Sequence, residues 1–266
     1  MEDLKMKLTL LGTGGADWPR DTAHLGDEKG LDRRNTSLLV DDDLLIDPNS
    51  DVPEALETFG CDKDKITTIL ISHSHGDHFS AETIEYICRD HHVDVYGAAG
   101  YKTRLPKCKN YTFHVVAPMQ KFAFRATSCR ALFSTHIVDE TDESCLIYTI
   151  ERNGKKLFYA TDGAWFTAET WQGIGGRCDA VVFDATFGDD EKKFRIPHKG
   201  IFFYHNNLSM LLTLRDIMAE SGKIDSKTAL IADHLSKAYY PNIETAHAVF
   251  DSEGFIASYD GLVIEV

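Results

Sequence analysis

The segment ILISHSHGDHFS, residues 69–80, places three histidines and an aspartate directly after an apolar run. In an extended segment alternate side chains point the same way, so the imidazoles of His73 and His75 can reach one metal ion. A glycine then lets the chain turn. After the turn, Asp77 and His78 are aimed from the start of the next helix at a neighbouring position, where a second ion could bind.

The alternative for this segment is a histidine-rich surface loop that caps a helix. Histidine is the commonest metal ligand among side chains, and three histidines beside an aspartate at the end of a strand have no obvious packing reason. The segment therefore indicates a metal site. Single histidines elsewhere have no such support, and we assign no role to His24, His91, His92, His114 and His247.

The length and composition indicate one globular unit. With 266 residues and 43% hydrophobic content, the chain can bury a sizeable core, and without a linker or repeat it is expected to form a single domain over residues 1–266. No stretch approaches the roughly 20 apolar residues needed to cross a bilayer, and the N-terminal sequence lacks a signal-peptide core. We expect a cytoplasmic protein with no membrane partner. Six cysteines without a CxxC pair suit reduced thiols in the core.

The formal net charge of −14 argues against a long nucleic-acid groove. Binding a polyanion relies on many Lys and Arg contacts that release counterions. A small anionic substrate remains compatible with this charge, because two divalent ions would reverse the local field in the site.

The apolar pattern predicts an α/β protein in which strands and helices alternate in both halves of the chain. Two blocks of mixed strands with helices in each half fit a four-layer αββα sandwich, and an exposed edge of such a sandwich could form a homodimer. The predicted helices are 53–59, 80–90, 164–172, 206–220 and 243–251. The predicted strands are 6–11, 36–40, 43–46, 66–71, 93–97, 111–117, 121–133, 144–150, 157–161, 180–186 and 228–233, followed by a closing pair of strands.

Further polar residues follow predicted buried strands. His136 closes ALFST, Asp162 closes LFYAT and His234 closes TALIAD. If the strand ends gather at one edge of the sandwich, these residues meet the histidine segment in one cleft. Zinc, manganese and iron all suit such a mixed His/Asp set. The predicted ligands are His73, His75 and His136 for one ion, Asp77, His78 and His234 for the second, and Asp162 as a bridge, with a water or hydroxide between the ions.

Each of these distant ligands has an alternative. Asp184, which ends VVFD, competes for the bridging position; we favour Asp162 because a TDG turn exposes its carboxylate. His136 and His234 could each be surface residues at a strand end, although their joint placement argues against this.

Two features near the N-terminus give weaker signals. The glycines at 12–15 could approach a phosphate, but a simple strand-to-loop turn is the better explanation, since no GxGxxG or GKS pattern follows. Residues 16–35 are predicted to form a loop long enough to have a role at the site. In this loop Arg33 and Arg34 could steer an anion or could be solvated surface.

Together these motifs resemble the metallo-β-lactamase superfamily over nearly the whole chain. They are HSHGDH at 73–78, LGTGG near the start, LLID at 44–47, TH at 135–136, YATDG at 159–163 and DH at 233–234. FDATF, HNNLSMLLTLRD and YDGLVIEV look most like the branch that contains ribonuclease Z and the phosphoribosyl cyclic phosphodiesterase of phosphonate breakdown. The resemblance implies the αββα fold, a dinuclear centre, and Asp47 as a carboxylate that orients the ligands from below.

The sequence also departs from these relatives. The phosphonate enzyme binds a structural zinc through a cysteine cluster after the first glycine loop, whereas residues 16–35 here contain no cysteine. No long basic arm of the kind that ribonuclease Z uses to hold tRNA is present, so tRNA processing is disfavoured.

The expected reaction is hydrolysis of a small phosphodiester, including a cyclic one, by a metal-bound hydroxide that Asp77 helps to hold. The resemblance also implies that His205, which precedes a predicted helix, protonates the leaving alkoxide; it could instead lie in solvent before a helix cap, and His198 is a nearby competitor. Hydrolysis of a lactone, thioester or β-lactam carbonyl at the same centre is the first alternative. An iron-dependent redox protein or a metal-holding binding module is the second.

Overall fold

The computed structural model describes residues 4–19, 32–138, 143–189 and 204–266. Two of the histidines considered above, His24 and His198, lie outside these residues. Within the described residues the chain forms two seven-stranded mixed sheets with helices on their outer faces, which confirms the predicted αββα sandwich.

The first sheet consists of six strands from the N-terminal half and one strand from the C-terminus. Its order is β14-β1-β2-β3-β4-β5-β6, and the pairs from β3 to β6 are parallel. Helices α1 and α2 lie in the connections that follow β3 and β4. These strands are β1 (Lys7–Gly12), β2 (Ser37–Val40), β3 (Leu44–Ile46), β4 (Thr68–Leu70), β5 (Val93–Gly97), β6 (Tyr111–Val115) and β14 (Val263–Glu265); the helices are α1 (Val52–Thr58) and α2 (Ala81–Ile87).

The second sheet has the order β13-β12-β11-β10-β9-β8-β7, with parallel pairs from β10 to β13. Its strands are β7 (Lys121–Phe124), β8 (Thr127–Phe133), β9 (Leu146–Arg152), β10 (Lys155–Ala160), β11 (Ala180–Asp184), β12 (Ala229–Asp233) and β13 (Ile256–Ala257). Its helices are α3 (Ala168–Ile174), α4 (Leu208–Glu220) and α5 (Ile243–Phe250). Short 3-10 turns occupy Lys63–Lys65, Ala99–Thr103 and Asp251–Glu253.

The central strands of the second sheet are apolar on both faces. One face packs against the first sheet and the other packs against helices. In β9, Tyr148 and Ile150 pack in the cluster shared with the first sheet, whereas Ile147 packs toward α3 to α5. Alternation along a strand sends successive side chains to opposite faces, so such a strand supplies both layers of the core. Each fully buried aliphatic or phenyl side chain contributes roughly 1.5–3 kcal/mol to folding.

Polar caps fix where the helices begin. Ser80 precedes α2, as predicted, and its hydroxyl accepts a hydrogen bond from the Thr83 amide at 3.2 Å. Asn207 precedes α4 and its side-chain oxygen accepts from the Met210 amide at 2.8 Å. Each cap satisfies an amide that has no partner within the helix, which is worth about 1 kcal/mol.

Three predicted elements differ from the structure. The single run predicted at 121–133 is a hairpin of β7 and β8, with Arg125 at a φ of 46° in its turn. The helix predicted at 164–172 begins only at Ala168, because Thr167 is its cap. The closing strands do not pair with each other; β13 joins the second sheet and β14 the first.

The interpretation of Arg33 and Arg34 as an anion-steering pair or as solvated surface is wrong. Arg33 is 1% exposed and donates hydrogen bonds to the Thr13 hydroxyl and the Ser258 carbonyl, each at 2.6 Å. Arg34 is 5% exposed and forms a salt bridge with Glu54 at 2.9 Å. Both side chains therefore connect the N-terminal loop to the interior of the protein.

The six cysteines are free thiols, four of them buried, as expected for small core residues. Among the described residues, no helix combines the length and the apolar character that crossing a bilayer requires.

Replacing Gly12 at the end of β1 is expected to destabilise the fold. A Cβ atom there would lie 2.0 Å from the backbone oxygen of Asn35. We expect Gly12→Ala to lower the free energy of unfolding by roughly 1–3 kcal/mol or more. In thermal unfolding, the melting temperature should fall by roughly 2–4 °C for each kcal/mol lost. The control is Gly176→Ala, whose added Cβ would meet nothing within 4 Å. Equal melting temperatures for the two variants would contradict the close approach.

Candidate metal centre

Strand ends from both sheets meet at one edge of the sandwich. Asp47 follows β3 and His73 follows β4 in the first sheet, whereas Asp162 follows β10 and His234 follows β12 in the second. Strand β8 runs in the same direction as β10, because each is antiparallel to β9, so His136 beyond its end reaches the same edge. The strand directions therefore bring together residues that are far apart in the sequence.

Three histidines form a compact group on one side of this edge. Both His73 Nε2 and His136 Nε2 lie 3.0 Å from His75 Nδ1. A tetrahedral zinc ion with Zn–N bonds of about 2.0–2.1 Å separates its ligand atoms by roughly 3.3 Å. The three nitrogens are thus spaced as ligands of one ion.

A second group lies on the other side of Asp162. Asp162 Oδ2 is 2.6 Å from His78 Nε2 and 3.3 Å from His234 Nε2. Asp77 Oδ2 lies 3.6 Å from each of the same two nitrogens. The other oxygen of Asp162 is 3.8 Å from His136 Nε2. Asp162 is therefore placed between the two groups, with one oxygen toward each.

The buried nitrogen and oxygen atoms of this cluster are arranged to bind a cation rather than to form hydrogen bonds with one another. His78 Nε2, His234 Nε2 and Asp162 Oδ2 are buried. Although Asp162 Oδ2 lies within 3.3 Å of both nitrogens, none of the three atoms forms a hydrogen bond of acceptable angle among the described residues. Leaving such atoms unpaired in the interior costs about 1–3 kcal/mol each, and more for charged groups. One shared divalent ion would satisfy all three, and imidazole and carboxylate are suitable donors for zinc, manganese or iron.

Asp47 lies beneath the cluster, where the resemblance expected it. Its Oδ2 accepts hydrogen bonds from His78 Nδ1 at 2.9 Å and from the Tyr159 hydroxyl at 3.0 Å. Its Oδ1 accepts from the Ser72 amide at 2.8 Å. The contact with Nδ1 fixes the ring of His78 and leaves Nε2 for a metal, as carboxylates behind ligating histidines do.

The backbone is strained at three of these positions. Asp47, Asp162 and His234 have φ values of 60°, 50° and 59°, in the left-handed region that disfavours residues with a Cβ. Aspartate tolerates this region better than histidine does. Each such residue costs on the order of 1–3 kcal/mol and persists where the surroundings force it, commonly at functional sites.

The N-terminal glycine loop closes over His234. A Cβ added at Gly15 would lie 3.2 Å from His234 Cε1, so a side chain there would crowd the ring. Asp17 accepts hydrogen bonds from the Ser236 hydroxyl at 2.6 Å and from the amides of Lys237 and Ala238 at 3.0 and 3.1 Å. The glycines at 12–15 thus fit the predicted turn, and Gly15 packs against a candidate ligand.

The surroundings shift the pKa values of these histidines in opposite directions. Burial lowers the pKa of His136 to about 4, and burial together with the neighbouring His78 holds the pKa of His73 well below its ordinary value. Neutral imidazoles of this kind keep a lone pair for a metal. Burial also acts against protonation of His234, but Asp162 and Asp77 outweigh it and raise the pKa to about 9.

Asp184 does not occupy the bridging position considered for it. It is fully buried, and its Oδ2 lies 2.8 Å from Nδ1 of His205. Its Oδ1 accepts from the amides of Thr186 and Asn206 at 3.2 and 3.0 Å. Asp184 therefore orients His205, although Asp162, Asp184, His205 and His234 are also close enough to one another to share an ion.

His205 lies in the wall of the site. Its ring stacks on His234 with centroids 5.2 Å apart and contacts Phe187 edge-on at 5.5 Å. Its side chain is 17% exposed, so it does not lie in open solvent ahead of the Asn207 cap. The contact with Asp184 uses Nδ1 and leaves Nε2 as the atom that can meet a substrate.

A cleft of about 470 Å³ opens over the cluster, a volume typical of sites for small molecules. It is lined by Gly15, Ala16, Asp17, His75, Gly76, Asp77, His136, Asp162, Thr186, Phe187, His205, His234 and Ser236.

The structure brings the seven predicted ligands together, with one correction to their local structure. Asp77 and His78 do not start the next helix; they lie in a turn closed by a hydrogen bond from the His78 amide to the His75 carbonyl at 3.0 Å. Sequence reasoning missed Tyr159, whose hydroxyl donates to Asp47, and Thr186, whose hydroxyl lies 2.8 Å from Nδ1 of the candidate ligand His234. Tyr159 lies in a quoted motif, but only the tertiary structure shows that its hydroxyl crosses between the sheets.

Comparisons with known proteins agree with this geometry. A family model described as the beta-lactamase superfamily domain matches residues 43–220. No curated protein sequence matches the chain.

Three solved structures show the same fold at low identity. A diphosphatase from the PhnP family is 20% identical, with a TM-score of 0.71 over 99% of this chain and 98% of that one. Zn²⁺-bound PqqB from Methylobacterium extorquens is 17% identical, with a TM-score of 0.75 over 98% of this chain and 100% of that one. The short form of human tRNase Z is 17% identical, with a TM-score of 0.69 over 97% of this chain and 98% of that one.

Metal binding is expected to stabilise the protein and to depend on Asp162. Added Zn²⁺ or Mn²⁺ should raise the melting temperature, since a ligand at 100 times its Kd contributes about 2.7 kcal/mol. Asp162→Asn keeps the size of the side chain but removes its charge, so it should reduce both the bound metal and the thermal shift. The control is Asp216→Asn at an exposed position on α4. Elemental analysis and thermal unfolding measure both quantities. Metal-free wild-type protein that gains nothing on reconstitution would contradict the centre.

Proposed function

Because the chain belongs to the metallo-β-lactamase superfamily, we propose that it is a metal-dependent hydrolase that cleaves a small phosphodiester at a dinuclear centre. The observation that carries this proposal is the position of Asp162 between two ligand groups, His73/His75/His136 and Asp77/His78/His234. Two neighbouring ligand groups with a carboxylate between them are suited to hold two metal ions.

Divalent ions bound there would supply positive charge for the phosphate oxygens and a water acidic enough to attack near neutral pH. Asp77 lines the cleft and is 6% exposed, so its carboxylate can hold and orient the attacking water. His75 and His136 line the same cleft and would hold one ion there.

His205 is suited to protonate the leaving oxygen. The Asp184 carboxylate lies 2.8 Å from Nδ1 and holds the orientation of the ring. With the ring in the wall of the cleft, Nε2 can donate a proton to an alkoxide, which is otherwise a poor leaving group. Asp184 and His205 thus form a unit whose members lie 21 residues apart in the sequence.

Three observations support a small phosphodiester as the substrate class. The cleft of about 470 Å³ suits a small molecule. The net charge of −14 disfavours a long nucleic acid, so we propose a small anionic substrate and no nucleic-acid partner. Two of the similar structures carry the names diphosphatase and tRNase Z.

The substrate class is tested by comparing esters on the same metal-loaded protein. We expect hydrolysis of bis(p-nitrophenyl) phosphate and lower activity on lactones, thioesters and β-lactams, because two ions can hold both non-bridging oxygens of a phosphate. A preference for carbonyl substrates would replace the phosphodiester proposal with the alternative hydrolase. Intact esters throughout would favour a binding module, and oxygen consumption with bound iron would favour a redox protein.

The role of His205 is tested by varying the leaving group. His205→Ala should lower kcat on an alkyl phosphodiester by roughly 10²- to 10⁴-fold and change the p-nitrophenyl ester little, since p-nitrophenolate needs no proton to depart. Metal content should stay unchanged. The control is His247→Ala, an exposed histidine on α5 that contacts Asp251. Equal losses on both esters, or loss of metal, would contradict the role.

A further inference from the structure

The segment that carries His73 and His75 has no regular secondary structure between Ile71 and His75. Its start is nevertheless held by groups from other elements. The hydroxyl of Tyr148 donates to the Ile71 carbonyl at 2.6 Å, and that of Tyr101 donates to the Ser72 carbonyl at 2.8 Å. These bonds fix the chain before His73 but do not reach the residue between the two histidines.

Ser74, that intervening residue, points away from the cluster. His73 and His75 share one face of an extended segment, so the side chain of Ser74 lies on the opposite face. There it meets Glu143, which precedes β9. Glu143 Oε1 accepts from the Ser74 amide at 2.7 Å and Oε2 accepts from its hydroxyl at 2.6 Å.

Arg104, which follows the 3-10 turn Ala99–Thr103, contacts the same serine. Its Nη1 donates to the Ser74 carbonyl at 3.3 Å and also to the Ser74 hydroxyl. The amide, carbonyl and hydroxyl of one 7% exposed serine are thus all bound by two side chains of opposite charge. Hydrogen bonds to ionised groups are roughly twice as strong as neutral ones.

We propose that Glu143 and Arg104 are positioning residues that hold Ser74 so that His73 and His75 face a single metal ion. The contacts of the pair with Ser74 act on the backbone between the two candidate ligands. Because His75 Nδ1 lies 3.0 Å from both His73 Nε2 and His136 Nε2, a small rotation at Ser74 would disrupt the whole three-nitrogen group. This inference rests on the metal centre of the proposed function but not on the substrate or the reaction.

The proposal is tested by measuring Zn²⁺ affinity without substrate, through competition with a chromophoric chelator. Glu143→Ala removes both acceptors and should weaken Zn²⁺ binding about 10- to 100-fold, the range typical of residues that orient metal ligands. Glu143→Gln keeps one oxygen for the Ser74 amide and should restore part of the affinity. The matched control is Glu57→Ala, which removes an exposed carboxylate on α1.

Two further readouts separate positioning from a general structural role. The melting temperature of the metal-free Glu143→Ala protein should stay close to that of the metal-free wild type, although its metal affinity falls. In a double-mutant cycle, Ser74→Ala combined with Glu143→Ala should cost less affinity than the two single losses added together, because both remove the same hydrogen bond.

Wild-type Zn²⁺ affinity in Glu143→Ala would overturn the proposal, as would additive losses in the cycle or a loss fully explained by unfolding of the metal-free protein. Because no substrate enters the assay, an inactive but metal-binding protein would overturn the proposed reaction and leave this inference intact.

Discussion

The constraint on which this structure depends is the burial of imidazole and carboxylate atoms that could hold a metal ion at the joint between two sheets. His78 Nε2 and His234 Nε2 lie within 3.3 Å of Asp162 Oδ2 in the interior, but none of the three atoms forms a hydrogen bond of acceptable angle among the described residues. Desolvated polar atoms in such an arrangement are costly, and a divalent cation satisfies them together. The fold and its local strain are arranged around this requirement.

The sandwich brings the strand ends together, and side-chain hydrogen bonds hold them in place. Parallel strands in both sheets end at one edge, where a residue just beyond each strand is free of the sheet ladder and can turn toward the cluster. Left-handed backbone at Asp47, Asp162 and His234 aims these side chains at a common point. Tyr148 and Tyr159 reach from the second sheet to Ile71 and Asp47 of the first, so the strand ends of the two sheets are connected through buried hydrogen bonds.

Much of the fold and of the candidate site could be predicted from the sequence, because each signal lies within a short stretch of the chain. Each candidate ligand follows an apolar run, and strand ends in an α/β sandwich meet at one edge, so His136, Asp162 and His234 could be grouped without a structure. The apolar pattern could not show where one run contains two strands, since residues 121–133 stay strand-like through the turn at Arg125. Nor could a polar loop reveal that Arg33 and Arg34 are buried, because their partners Ser258 and Glu54 are distant or unremarkable in sequence. The contacts of Glu143 and Arg104 with Ser74 carry no sequence signal either.

The most direct test of the proposed metal centre is anomalous diffraction from crystals of the zinc-loaded protein, recorded on both sides of the zinc absorption edge. We predict two zinc peaks in the anomalous difference map. One should lie about 2.0–2.1 Å from the facing nitrogens of His73, His75 and His136. The other should lie at similar distances from His78 and His234, with Asp162 between the two peaks. A map with no peak at this edge of the sandwich, or with zinc bound only elsewhere, would contradict it.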